Sequence, residues 1–330
     1  MNIIFLVESL DNKTASNLID AIHKTGHSVD VVPYHSQGEN QGSMVERDGV
    51  RLLFCNGKYY APDQYDAALL WCWGTATIGR QYLRLFEDQG VFVINSTYTT
   101  EITDSKIDLT RAFKENNLSI PNTLFFDNGI PQDTFPDSLK NIESTLGSPP
   151  YVFKADYSSQ GIGIQFAESV EEVREFAWDL YNKNPKRHGF ILQEFIGNHD
   201  LPIFHYRVLV LGDIVFPHVL KVTATQPMKV SNVATGGIVE LSPMHSTLER
   251  ASLRAAEISG LTIAGVDLMV KLNHLQEPEL VVLEINDGPG TKTFDRKGCD
   301  ASSATINLFI QTMENALSTV RQKAIATINL

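Results

Sequence analysis

Residues 281–293 read VVLEINDGPGTKT, an apolar run that closes on an acid, an amide, glycines and a Lys-Thr pair. A phosphate-gripping P-loop needs Gly-x-x-x-x-Gly-Lys-Ser/Thr, so that backbone N–H groups wrap the phosphates and the lysine follows at once. Here Thr291 precedes Lys292, and Asn286 stands where the first glycine belongs. The P-loop is excluded, and Glu284 and Asn286 call for another explanation. Strand alternation supplies one: residues i and i+2 point to the same face, so these two side chains sit together. Asp267, in the apolar run IAGVDLMV (263–270), joins them if the two strands are neighbours. Two carboxylates and an amide oxygen form a hard-oxygen set suited to Mg²⁺, which keeps waters and shares the phosphates of its ligand. A single acid at a strand end is explained by solvent. Three such residues in apolar strands are not.

The rest of the chain places these strands in a larger plan. NIIFLVE (2–8) reads as a buried strand, TASNLIDAIHKTGH as a helix ending near Gly26, and SVDVVPY (28–34) as a second strand. This βαβ opening predicts a parallel sheet. RLLFCNGKYY carries Asn56-Gly57 between apolar runs, a strong short-range hairpin signal. DAALLW (66–71) and VFVINS (91–96) add strands around a helix at 77–88, and Asp104 is the expected cap of a helix running to Asn116. Beyond Ile120 the pattern changes to short strands: TLFFD, YVFKAD, GIGIQFA, FILQEFI, FHYRVLVLGD, IVFPHVLKV, IAGVDLMVK and LVVLEIN. Helices are expected at 169–183, 246–259 and 302–322. The fold class is therefore α/β followed by α+β with much antiparallel sheet.

Composition narrows the function classes. The 330 residues are 43% hydrophobic and 20% charged, ordinary for a globular chain. A net charge of −12 argues against a broad nucleic-acid surface, which is basic. No apolar run approaches the ~20 residues that cross a bilayer, and MNIIFLVESLDNK lacks the basic start of a signal peptide. Cys55, Cys72 and Cys299 show no CxxC spacing, which suits reduced thiols in the cytoplasm.

Several further residues bear on chemistry. DYSSQGIGIQ (156–165) is a glycine-rich turn between two strands, and such a turn can fold over phosphates or serve only as a hairpin. Lys154 precedes it on an apolar strand; either an anion meets this charge or the side chain faces solvent. Glu194 lies in ILQEFIG (191–197), a segment able to offer backbone groups to an adenine edge. Arg207, in HYRVLVLG, reads alone as an ion-paired or solvated strand residue.

Taken in order, Lys106, Lys154, SQGIG, LQEFI, YRVLVLGD, SNVATGG, GVDLMV and LEINDGPG resemble the ATP-grasp ligases, more closely the RimK-like glutamate ligases and the glutathione-synthetase branch. The resemblance spans nearly the whole chain. It implies an ATP-grasp fold: an N-terminal parallel-sheet domain (1–100), then two lobes gripping ATP, a central one with the glycine-rich flap (101–190) and a C-terminal one with the metal site (191–330). It implies that Lys106 and Lys154 contact phosphates or the adenine edge, and that Gln160, Gly161 and Gly163 form the flap. Gln193, Glu194, Phe195 and Ile196 then lie beside adenine. Arg207 touches the γ-phosphate, and Asn232, with Gly236 and Gly237, lies near the reacting carboxylate. Asp267, Glu284 and Asn286 hold two Mg²⁺ ions, with Mn²⁺ as a substitute. The implied reaction is ATP-dependent amide-bond formation through an acyl phosphate, on an amino acid or peptide, by a homodimer or tetramer.

The chain departs from that pattern in places. Typical RimK-like enzymes carry Asp-Ile-Arg where this chain has His205-Tyr206-Arg207. KVTATQPMKVSNVATGG lacks the arginine pair that those glutamate ligases carry before Ser-Asn, although Lys221 and Lys229 stand nearby. Trp71 and Trp73 either wall a substrate site or pack in the core. The runner-up function is a kinase of the same fold, like the inositol-phosphate kinases; it would want more basic residues in the cleft. A third reading, a nucleotide-binding module without catalysis, is disfavoured by the intact Asp-Glu-Asn set.

Overall fold

A computed structural model describes residues 1–10, 13–34, 42–71, 77–127, 141–158, 163–186, 188–197, 204–223, 238–272 and 277–328. Contacts group the chain into two units, one of Met1–Thr97 with Gly288–Leu330 and one of Tyr98–Asp287.

In the first unit, β1 (Asn2–Val7), α1 (Lys13–Lys24) and β2 (Ser28–Pro33) form the expected βαβ opening. Next come β3 (Ser43–Arg47), β4 (Val50–Cys55) and β5 (Lys58–Tyr60), an antiparallel ribbon. Asn56 and Gly57 both take positive φ, 53° and 74°, as a two-residue turn matched to strand twist requires. β3 was not anticipated: it is mostly exposed, so it carries no apolar alternation to read. β6 (Ala67–Trp71), α2 (Thr77–Glu87) and β7 (Phe92–Ile94) complete a parallel sheet of order β2-β1-β6-β7. Central β1 is buried from Ile3 to Val7, which is why it reads as an unbroken apolar run. Trp71 is buried in this unit as core; Trp73 lies outside the described residues.

The second unit opens with α3 (Thr97–Asp104) and α4 (Lys106–Glu115). Asp104 ends α3, and the cap of α4 is Ser105. Its backbone is extended and its Oγ accepts the Asp108 N–H at 3.1 Å. An antiparallel sheet of order β10-β9-β11-β8 follows, built from β8 (Thr123–Phe126), β9 (Tyr151–Ala155), β10 (Ile164–Ala167) and β11 (Phe190–Glu194). Helices α5 (Ile142–Leu146) and α6 (Val170–Lys183) accompany it. Its core is a stack in which Phe190 lies 4.4 Å from Phe153 and 4.5 Å from Phe126, centroid to centroid.

A second antiparallel sheet runs β15-β14-β12-β16-β17, with β13 (Ile214–Val215) hairpinned onto β12 (Phe204–Leu211). Its other strands are β14 (His218–Thr223), β15 (Ile238–Pro243), β16 (Ile263–Leu272) and β17 (Pro278–Asn286). α4 and α7 (Ser246–Ser259) cover its apolar side, where Leu109, Phe113, Ala255, Val208, Val266 and Val282 meet.

The chain then returns to the first unit with α8 (Lys292–Arg296) and α9 (Ala301–Ile328). The sequence division places 288–330 in the C-terminal lobe; in the structure α9 packs on α1. Asn17 of α1 also donates to Asp295 of α8 at 3.0 Å. No helix among the described residues is long and apolar enough to cross a membrane.

Candidate active site

Strand register assembles the site. Across β12, β16 and β17, Arg207 stands opposite Asp267, Asp267 opposite Glu284, and Gly265 opposite Asn286. Between Asp267 and Leu268 the β16–β17 register shifts: Leu268 faces Val282, leaving Leu283 as the extra residue of a bulge. Arg207 donates from Nε and Nη2 to the two oxygens of Asp267 at 2.7 and 2.6 Å. His205, two residues earlier on the same strand, brings Nε2 to 3.6 Å from Asp267 Oδ1. Burial alone would push the Asp267 carboxyl up, but Arg207, by its charge and its hydrogen bonds, together with the neighbouring His205 and Lys154, holds it below its ordinary value. Asp267 in turn holds the Arg207 guanidinium above its own.

Two lysines approach the same acids. Lys154, on β9, is 9% exposed, so the buried alternative is the one realised. Burial pushes its ammonium down to about 8; Lys106 adds to the fall, while Glu284 and Asp267 oppose it. Lys106, the first residue of α4, lies 3.5 Å from Glu284 Oε1 and donates to the backbone carbonyl of Ser158. Ser158 belongs to the turn leaving β9, where Tyr157 takes φ 52°, a left-handed conformation unusual for a bulky residue. Gly163 closes the other side of the turn. Its φ is 81°, and a Cβ there would stand 3.1 Å from Ser158 Cβ and 3.2 Å from Ala155 Cβ, so only glycine fits without strain.

At the end of β11, Gln193 is buried and donates to Thr123 at 3.0 Å. The Glu194 carboxylate accepts from Lys271 at 2.9 Å and from the Asn122 backbone at 2.8 Å. Phe195 meets Phe166 edge-on at 5.8 Å, and Ile196 packs with Met269 and Val281. This segment is thus held to both sheets of its unit.

The structure brings together Lys106, Lys154, Arg207, Asp267 and Glu284, with Asn286 one alternation beyond Glu284 on the same strand. Gln193, Glu194, Phe195 and Ile196 form the neighbouring strand end. Gln160, Gly161, Asn232, Gly236, Gly237 and Lys229 lie outside the described residues. Lys221 stands opposite Glu240 on β15. Sequence reasoning passed over Asp156, which hydrogen-bonds the start of α4, although the alternation that joins Glu284 to Asn286 also joins Lys154 to Asp156. It passed over Asn122 and Lys271 as well; neither shows a local signal, because each meets Glu194 only in the folded sheet pair.

No cluster of three His, Cys, Asp or Glu side chains converges among the described residues. The donor set is two carboxylates and one amide oxygen, with no nitrogen or sulfur ligand. That chemistry fits Mg²⁺, which is usually held by one or two carboxylates plus substrate phosphates and waters.

Two antiparallel sheets in one unit, with a buried lysine set against facing acid strands, are the features of an ATP-grasp enzyme. Residues 104–309 match the RimK-like ATP-grasp domain, and the chain belongs to that family. A protein named probable alpha-L-glutamate ligase from Xanthomonas euvesicatoria is 26% identical over 322 residues, covering 96% of this chain and 99% of its own. Among solved structures, D-alanyl-alanine synthetase A from Vibrio cholerae superposes with a TM-score of 0.69 at 12% identity, covering 95% of this chain and 98% of that one. A macrocyclase from Microcystis aeruginosa, bound with a precursor peptide, gives 0.65 at 13%, covering 94% and 100%. These likenesses match the fold expected from the motifs. The protein is an ATP-dependent ligase that forms carbon–nitrogen bonds.

Proposed function

We propose that the enzyme activates a carboxylate as an acyl phosphate and joins it to the amine of an amino acid or peptide. The observation that carries this reading is the buried Lys154 ammonium, set with Lys106 toward the Asp267–Glu284 pair. A desolvated cation beside two acids is costly in a resting protein and becomes favourable when a polyphosphate arrives.

In this reading Lys106 and Lys154 bind the phosphates, with Gln160, Gly161 and Gly163 over them and Gln193 through Ile196 beside adenine. Asp267, Glu284 and Asn286 hold two Mg²⁺ ions, or Mn²⁺ in their place; bound there, the metal offsets charge on the transferring phosphoryl group. Arg207 leaves Asp267 to meet the γ-phosphate, and Asn232 orients the reacting carboxylate. A carboxylate oxygen takes the γ-phosphoryl group and ADP departs. The amine then attacks the acyl carbon, phosphate leaves, and the amine gives up a proton. The missing arginine pair favours a substrate less acidic than glutamate. We assign the work to the cytoplasm, where ATP is plentiful, and to a homo-oligomer.

The test is a substrate screen read by mass spectrometry with ADP and phosphate assays. Release of ADP and phosphate only when a carboxylate and an amine are both supplied supports the ligase. A product that keeps the phosphate would make it a kinase.

A further inference from the structure

We propose that Asp156, which no motif singles out, is a positioning residue that fixes Lys106 for nucleotide binding. The idea deepens the reading of Lys106 as a phosphate ligand and rests on it.

Asp156 follows β9 and is anchored there by its own N–H, which donates to the Gly189 carbonyl at 2.9 Å. Its carboxylate meets the first residues of α4. Ser105 Oγ lies 3.2 and 3.3 Å from its two oxygens, and the Ile107 N–H donates to Oδ1 at 3.2 Å. The backbone N–H groups of Lys106 and Tyr157 also donate to it. One carboxylate thus holds three consecutive residues of the helix start, the middle one being Lys106, and the turn that follows β9.

The arrangement closes a ring. Lys106 runs from the helix back to the Ser158 carbonyl, two residues beyond Asp156, and reaches Glu284 at 3.5 Å. A long lysine side chain has many rotamers, and ordering it on a ligand is costly unless its backbone and its first contact are already set. Asp156 sets the backbone; Ser158 sets the contact. A negative charge at a helix start is favourable in itself, which explains why a half-buried acid is tolerated here. That benefit alone would serve stability. The placement around Lys106 serves binding.

A double-mutant cycle separates the two. ATP–Mg²⁺ binding is measured by titration calorimetry without carboxylate or amine substrates, on wild type, Asp156→Ala, Lys106→Met and the double variant. The expected result is a loss of about ten-fold for Asp156→Ala in the wild-type background and less than about two-fold in the Lys106→Met background. Asp156→Asn, which keeps an acceptor for the Ile107 N–H, restores affinity to within about three-fold of wild type. Equal losses in both backgrounds would overturn the positioning role while leaving Lys106 a phosphate ligand, as would an Asp156→Ala variant that binds like wild type. Unchanged binding in Lys106→Met would instead remove the reading beneath it. If Asp156→Ala does not fold, Asp156→Glu, which keeps the charge and shifts it by one methylene, runs the same cycle with the same deciding outcomes.

Discussion

Arg207 and Asp267 face each other across β12 and β16 in a two-point pairing, Nε to Oδ1 at 2.7 Å and Nη2 to Oδ2 at 2.6 Å. The acid side chain is 9% exposed and the arginine 26%. Removing one member of a buried pair strands the other, at a cost of roughly 3–5 kcal/mol, and the partial exposure of Arg207 puts Arg207→Met near the lower end of that range. Urea unfolding of the ligand-free protein checks it. A change below about 1 kcal/mol would mean that water already carries most of the pairing.

Lys154 predicts a conflict between stability and binding. Its pKa falls from 10.5 in the unfolded chain to about 8 in the fold because burial disfavours the charge. A lowered basic pKa means that the unfolded chain holds more protons between those values, so this group makes stability rise with pH from about 8 toward 10.5. Below about 8 the ammonium is charged in both states and its desolvation is felt in full. Lys154→Met is therefore expected to stabilise the ligand-free protein at neutral pH by about 1–3 kcal/mol, while weakening ATP binding about 100-fold. A destabilised variant, or one that binds ATP normally, contradicts this account.

The same residue should make nucleotide binding take up protons. Phosphates arriving beside Lys154 favour its charged form, so at a pH just above 8 ATP binding draws a proton from the buffer. Calorimetry in two buffers of different ionisation enthalpy reads this directly. The uptake should vanish in Lys154→Met.

Glu284 is a third exposed and bonded to Lys106, so its removal should matter more for chemistry than for folding. Glu284→Gln is expected to lower the rate of ADP formation by about two orders of magnitude and to raise the Mg²⁺ requirement. Stability should stay within about 1 kcal/mol of wild type. Wild-type turnover would refute the metal assignment.

The aromatic stack beneath β9 and β11 gives a purely structural prediction. Phe190 is fully buried between Phe126 and Phe153. Phe190→Ala should cost roughly 3–5 kcal/mol in urea unfolding, since the rings around it cannot fill the space.

Local signals and long-range ones divide what the sequence reveals. The βαβ opening, the Asn56-Gly57 turn and the acid strands are legible because periodicity and turn chemistry act within a few residues. The exposed strand β3 has no apolar face to betray it. Asp104 and Ser105 are both good caps by type, and only backbone conformation chooses Ser105. The docking of α9 on α1 joins opposite ends of the chain, which no window spans. Within the site, alternation puts Glu284 with Asn286, but Asp267 opposite Glu284 is a matter of register. Asp156 was hidden for a related reason: its partners on α4 lie some fifty residues earlier, and an acid after a strand reads as a turn residue until the helix is seen beside it.

Leu283 shows how little separates a working arrangement from a silent one. With uniform spacing along β16 and β17, continued from Leu268 opposite Val282, that leucine would be the cross-strand neighbour of Asp267, and Glu284 would fall beside Val266 in the hydrocarbon interior. The sheet would look intact, but the two acids would no longer face each other. A single residue inserted between Val282 and Glu284 should therefore be far less tolerated than a conservative replacement there, whereas deletion of Leu283, which leaves Asp267 opposite Glu284, should be the milder change, a contrast that an insertion and deletion scan of this strand would expose.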